Sequence, residues 1–122
     1  MLKLVYCLRR KPELSVEDFQ RYWRDVHAPL VAERAELLGI KRYVQAHTGL
    51  PEVNGVLQAR NGGSPEPFDG VAELWVETLD ALASEDPAVQ AAAADLLTDE
   101  ANFIDLARSP IWIAQEQVVI AG

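Results

Sequence analysis

The chain has 122 residues, which suits a single domain spanning 1–122 with a hydrophobic core of its own. Nineteen acidic against eleven basic side chains give a net charge of −8. No basic patch is interleaved with aromatics, so the composition argues against nucleic-acid binding. The single cysteine, Cys7, allows no intramolecular disulfide and fits a reducing compartment. No window approaches the ~18 consecutive apolar residues of a membrane span. The opening apolar run is too short for a signal segment, with Arg9, Arg10 and Lys11 on its wrong side. A cytoplasmic protein without membrane contact is expected.

Lys3 to Leu8 reads as a buried strand, closed by Arg9-Arg10-Lys11-Pro12. Ser15-Val-Glu-Asp18 opens a helix: Ser15 is placed to cap it, Asp18 to reach back, and Leu14 and Phe19 stand in staple positions. The helix runs to Leu38, with Gly39 as its C′ residue. At about 100° per residue, Phe19, Trp23, Val26, His27, Leu30, Arg34, Leu37 and Leu38 fall in one inward arc. Pro29 removes a backbone bond and predicts a bend just after His27.

Ile40 to Thr48 is a second strand, with Tyr43, Gln45 and His47 on one face and Arg42, Val44 and Ala46 on the other. Gly49 to Gly70 is a long connection whose middle, Val53 to Ala59, suits a helical turn. Val71 to Glu77 is the third strand. A helical region starts at Thr78, breaks at Ser84-Glu-Asp-Pro87, where Ser84 suits an N-cap, and continues through Val89, Ala92, Ala93, Leu96 and Leu97. Ile111 to Ile120 is the last strand. The order β-α-β-β-α-β predicts an α+β, ferredoxin-like fold with a four-stranded antiparallel sheet. The strands are apolar on both parities, as with Leu4, Tyr6 and Leu8 against Val5 and Cys7. A second apolar face needs a cover, and the sheet of a second copy is the simplest one, so a homodimer is expected.

The run Phe19-x-x-Tyr22-Trp23-x-x-x-His27-x-Pro29-Leu30, the strand Tyr43-Val-Gln-x-His47, the strand Asp69-Gly-Val-Ala-Glu73-Leu-Trp75 and the segment Asp99-Glu-Ala-Asn-Phe103-Ile-Asp105 together resemble the EthD family of dimeric α+β barrels. The resemblance covers nearly the whole chain. It implies that two ferredoxin-like sheets pack into a barrel, with a cavity between sheet and helices in each protomer. It leaves the chemistry open, because similar proteins act as cofactor-free cyclases, decarboxylases, dehydratases and oxygenases on polyketide and aromatic compounds.

Within that frame His27 is the leading candidate, a group that exchanges protons near neutral pH; the alternative is a core histidine bonded to a carboxylate or carbonyl. His47 and Glu73 are candidate partners, and Trp23, Tyr43 and Trp75 a π-rich cradle for a small hydrophobic or aromatic molecule. Arg34 has the chemistry to steady an oxyanion, or else to lie outward. For Glu73 the alternative is a salt bridge, and Asp105 reads as the cap of the turn after Phe103. Cys7 reads as an inert buried thiol. Two distant histidines make no metal site, and neither a phosphate loop nor a G-x-S-x-G elbow is present. The expectation is therefore a cofactor-independent enzyme with His27 as general acid/base. The alternative is a non-catalytic dimeric carrier of a hydrophobic metabolite, accompanying an oxygenase system.

Overall fold

In the computed structural model, which describes residues 1–122, β1 (Leu2–Leu8) is a central strand flanked by β3 (Gly70–Val76) and β4 (Ile111–Gln115). β2 (Ile40–His47) pairs with the far edge of β3, so the four-stranded sheet has the order β2-β3-β1-β4 with every pair antiparallel. This is the expected α+β, ferredoxin-like arrangement. The register brings Leu4 opposite Leu74 and Ile113, and Tyr6 opposite Ala72 and Ile111. Because side chains alternate along a strand, these residues share the face that carries the helices. Glu73, Trp75 and Val5 belong to the other face. No helix is long and apolar enough to cross a membrane.

Between β1 and β2 the chain forms α1 (Val16–Tyr22), a π turn (Trp23–His27) and α2 (Ala28–Leu38). The Ser15 hydroxyl accepts from the Asp18 amide and caps α1, while the Asp18 carboxylate turns to Arg21 instead of reaching back. Gly39 ends α2 in the left-handed conformation, at φ 72°. Where a bend was expected, the helix widens. Pro29 has no N–H, and its ring would collide with the carbonyl four residues back. The backbone yields one turn earlier, and the Ala28 amide donates to the Trp23 carbonyl, five residues away. A wider turn keeps residues four apart in phase. Phe19, Trp23, His27 and Val31 therefore form the buried line, and Val26 and Leu37, expected inward, are exposed.

Other boundaries shift for local reasons. The long connection holds a complete helix, α3 (Pro51–Arg60), started by Leu50 at φ 53°. The region after β3 makes a short 3₁₀ turn (Asp80–Ala83) before α4 (Pro87–Glu100). Asp86, not Ser84, caps α4 by accepting from the Ala88 amide; Ser84 accepts from the Asp86 amide one step earlier. Leu97, counted in the apolar stripe, faces solvent. β4 stops at Gln115 because its partner strand runs out: Leu2 opposite Gln115 is the last pair.

The core joins sheet to helices through Tyr6, Leu8, Phe19, Trp23, Ala72, Phe103 and Ile104. Rings of Phe19 and Phe103 lie 5.6 Å apart, and Phe19 and Trp23 5.8 Å. At the start of β3 the Trp23 indole sits directly on Gly70, where an added Cβ would come within 2.3 Å of the ring and 3.1 Å of the Ala46 carbonyl. Backbone on one side and a fully buried indole on the other leave little room to give. Gly70→Ala is therefore expected to destabilise the fold by about 1–3 kcal/mol, read from the urea midpoint; an unchanged midpoint would mean that Trp23 is free to tilt away.

Candidate functional site

Between the helix-bearing face of the sheet and the helices lies a cavity of about 220 Å³. Its lining is mainly hydrophobic, and the polar groups are those of His27, Thr78 and Glu100 with the hydroxyls of Tyr6 and Tyr43. Leu4, Tyr6, Tyr43 and Leu74 rise from the sheet; Trp23 and His27 come from the π turn, and Leu96 and Glu100 from α4. No lysine or arginine lines it.

His27 is 5% exposed. Its Nδ1 lies 2.7 Å from Oδ2 of Asp99, and its ring packs 5.1 Å from that of Phe103. Asp99 is itself held: the Tyr22 hydroxyl donates to Oδ1 at 2.6 Å, and the Asn102 amide donates to the Tyr22 oxygen at 3.2 Å. Burial acts to raise the Asp99 pKa, but the hydrogen bonds from Tyr22 and His27 outweigh it and hold the carboxyl below its ordinary value. An ionised Asp99 only accepts, so it fixes the proton of His27 on Nδ1. Nε2 is left as an acceptor. Burial lowers the His27 pKa, against the pull of Asp99, so the ring is neutral at neutral pH.

Nε2 of His27 faces Oε2 of Glu100 across 4.0 Å. Burial is the main cause that raises the Glu100 pKa from 4.5 to about 6; the Tyr6 hydroxyl opposes this and the Asp99 charge adds to it. Tyr6 is raised in turn, by burial first and then by Glu100. Burial thus shifts the imidazole down and the carboxyl up from their ordinary values. The site can take up, hold and release a proton at two neighbouring atoms.

The residues singled out from sequence divide. His27, Trp23 and Tyr43 line the cavity. The Tyr43 oxygen accepts from the Gln45 amide at 2.7 Å. His47 is outside it, stacked 4.5 Å from the Trp23 ring and 2.7 Å from Oε1 of Gln45. Glu73, on the opposite face of the sheet, is ion-paired to Lys3 at 2.6 Å. On that face too, Trp75 donates its indole N–H to Glu116 and carries the Arg42 guanidinium over its ring. Arg34 spans α2 and α4, reaching Asp95 at 3.2 Å and the Leu30 carbonyl at 3.1 Å. Asp105 makes no side-chain cap; its amide and carbonyl bond to Arg9 and Ser109. Cys7 is half-buried on the opposite face, and burial raises its thiol pKa.

Asp99 and Glu100 are the functional candidates that the sequence reading passed over. The available signal was their position. Two adjacent carboxylates close an apolar helix at its C-terminal end, where the helix dipole disfavours negative charge.

Residues 11–107 match the EthD domain. Among solved structures, an ethyl tert-butyl ether D (EthD) family protein from Bacillus halodurans is 18% identical, with a TM-score of 0.59 over 96% of this chain and 100% of that one. A dimeric protein of unknown function and ferredoxin-like fold from Bacteroides fragilis is 12% identical, with a TM-score of 0.57 over 94% and 95% of the two chains. An EthD-like protein from Ralstonia eutropha is 18% identical, with a TM-score of 0.53 over 98% and 96%. At these identities the likeness is one of fold.

The raised Glu100 pKa is also a statement about stability. The folded state holds this proton more tightly than the unfolded chain, so its contribution is complete below the ordinary 4.5 and is lost as pH rises through about 6. Glu100→Gln keeps the shape and removes the charge. It is expected to stabilise the fold by about 1–2 kcal/mol near pH 8 and to change little near pH 4.5, by urea unfolding at both. Equal effects at the two values would show that the carboxyl does not titrate in this range.

Proposed function

The chain belongs to the EthD family, and from that premise we propose that it is a cofactor-independent enzyme that binds a small aromatic or polyketide-like molecule in the cavity, with His27 as general base. The observation that carries the proposal is the Asp99–His27 pair, 2.7 Å apart, presenting an unprotonated Nε2 to a space that is otherwise almost wholly apolar. A packing role would account for the carboxylate partner as well; what it does not require is an Nε2 left open on the wall of a ligand-sized cavity. That arrangement is the usual support of a proton-transferring imidazole. Proton removal at one position serves cyclisation, dehydration, decarboxylation and isomerisation alike.

The cavity's size limits the ligand. At about 220 Å³ it exceeds the ~150 Å³ that accommodates benzene and falls short of the ~300 Å³ at which drug-sized pockets begin. One ring or two fused rings fit. Trp23 and Tyr43 supply aromatic surface, and His47, stacked behind Trp23, keeps the indole in place.

We further propose that the chain acts as a homodimer joined through the other face of the sheet. Val5, Cys7, Val44, Val71 and Trp112 give that face an apolar middle, where Lys3 and Glu73 neutralise each other. Light scattering at micromolar concentration is expected to give twice the chain mass, and Val5→Glu with Val44→Glu to return the monomer with the fold intact. A monomeric mass for the unaltered protein would sink this part of the proposal.

His27→Gln is expected to lower turnover of a converted aromatic ketone or polyketide-like compound by roughly 10²–10⁴-fold, with ligand affinity changed only a few-fold. Turnover that survives this substitution would remove His27 from the chemistry. Binding across a panel of one- and two-ring compounds with no turnover of any would instead favour a carrier of hydrophobic metabolites.

A further inference from the structure

His27 and Asp99 account for a base, but Glu100 has no part in that pair, although it carries the one carboxyl on the cavity wall. We propose that Glu100 selects the ligand by charge: the cavity takes an uncharged molecule with a hydrogen-bond-accepting oxygen, to which the protonated carboxyl donates, and it rejects organic anions. The inference rests on the reading of the cavity as a ligand site.

Three observations carry it. First, the groups that face Glu100 include no cation. They are Tyr6 from β1, Tyr43 from β2, the neutral His27 from the π turn and Asp99 beside it on α4. Arg34, the basic side chain on the adjoining helix, is held outside by Asp95 and the Leu30 carbonyl. Secondly, an anion entering this space meets the Glu100 carboxylate, with the Asp99 charge and the C-terminal end of α4 behind it. Each has the wrong sign, and the apolar walls leave little water to screen them. Thirdly, the 4.0 Å between Nε2 of His27 and Oε2 of Glu100 suits a neighbouring acidic C–H or O–H and an acceptor oxygen. In an enolisable ketone the α-carbon and the oxygen lie about 2.4 Å apart by standard bond lengths. The burial that raises the Glu100 pKa to about 6 lets it take up a proton for that oxygen more readily than an exposed carboxylate would.

Such a ligand drives proton uptake at Glu100, because its oxygen bonds only to the protonated form. The matched probes are 2-acetylnaphthalene and 2-naphthoate, which share a ring system and heavy-atom count and differ in charge. Binding is followed by quenching of tryptophan emission and by ligand-observed NMR. Near pH 7.5 the ketone is expected to bind at least ~10-fold more tightly than the carboxylate, and lowering the pH to about 5.5 to tighten it several-fold more. Glu100→Gln is expected to abolish that pH dependence and to narrow the preference at least ~3-fold. His27→Gln keeps the pH dependence, which separates it from titration of the imidazole. Naphthoate binding as tightly as the ketone, or a pH dependence that persists in Glu100→Gln, overturns the inference and leaves the ligand cavity standing. Failure of both probes to bind overturns the two together.

Discussion

A buried imidazole must be given a hydrogen-bond partner, because leaving its polar atoms bare in an apolar layer costs several times what one ordinary contact returns. Asp99 is that partner here, and the 2.7 Å bond ties the π turn between α1 and α2 to the last turn of α4. The chain invests heavily in keeping it. Tyr22 and Asn102 hold the far side of the carboxylate, and the Phe103 ring packs on both Tyr22 and His27, at 5.0 and 5.1 Å. No buried side-chain polar atom is left without a partner. Removing Asp99 would leave the imidazole free to turn, and with it the direction in which Nε2 points.

The π turn follows from the same demand. A continuous α-helix would carry Pro29 into a carbonyl clash and rotate His27 and Val31 progressively away from Trp23. One wider turn relieves the clash and holds the line Phe19-Trp23-His27-Val31 over the sheet. The turn is also where both cavity-facing rings of this helix reside, in keeping with the frequent use of π-bulges at functional sites. Gly70 belongs to this constraint, since the indole that starts the turn fits only over a residue without a Cβ.

Much of this was legible in the sequence. Short apolar runs bounded by turn residues marked the strands, and the i, i+4 spacing of Phe19, Trp23 and His27 marked the inward helix face. Two kinds of information were not local. Arg34 lies on the inward arc of an ideal helix, yet it is drawn outward by Asp95, 61 residues later. Asp99 and Glu100 meet His27 across 72 and 73 residues of sequence, and periodicity at those positions says only that the helix is ending. Glu73 and Trp75 fail to reach the cavity for a simpler reason. They lie one residue out of step with Ala72 and Leu74, and a shift of one reverses the face. His47, on the cavity side, is kept from the space by the Trp23 ring it stacks against.

The sheet also segregates its charges. Lys3 and Arg42 stand on the outer face with Glu73 and Trp75, and the inner face carries no fixed charge from any strand. On the functional reading proposed above, this limits how the site can work. An oxyanion forming in the cavity would find no lysine or arginine to stabilise it, and α4 presents the negative end of its dipole there. A base that removed a proton and waited would therefore leave the negative charge unsupported beside Asp99 and Glu100. A proton delivered from the Glu100 carboxyl as His27 takes one away avoids that charge altogether, and the two atoms stand 4.0 Å apart. The scarcity of polar groups in this cavity thus favours coupled acid–base chemistry on a neutral molecule over any path through a discrete anion.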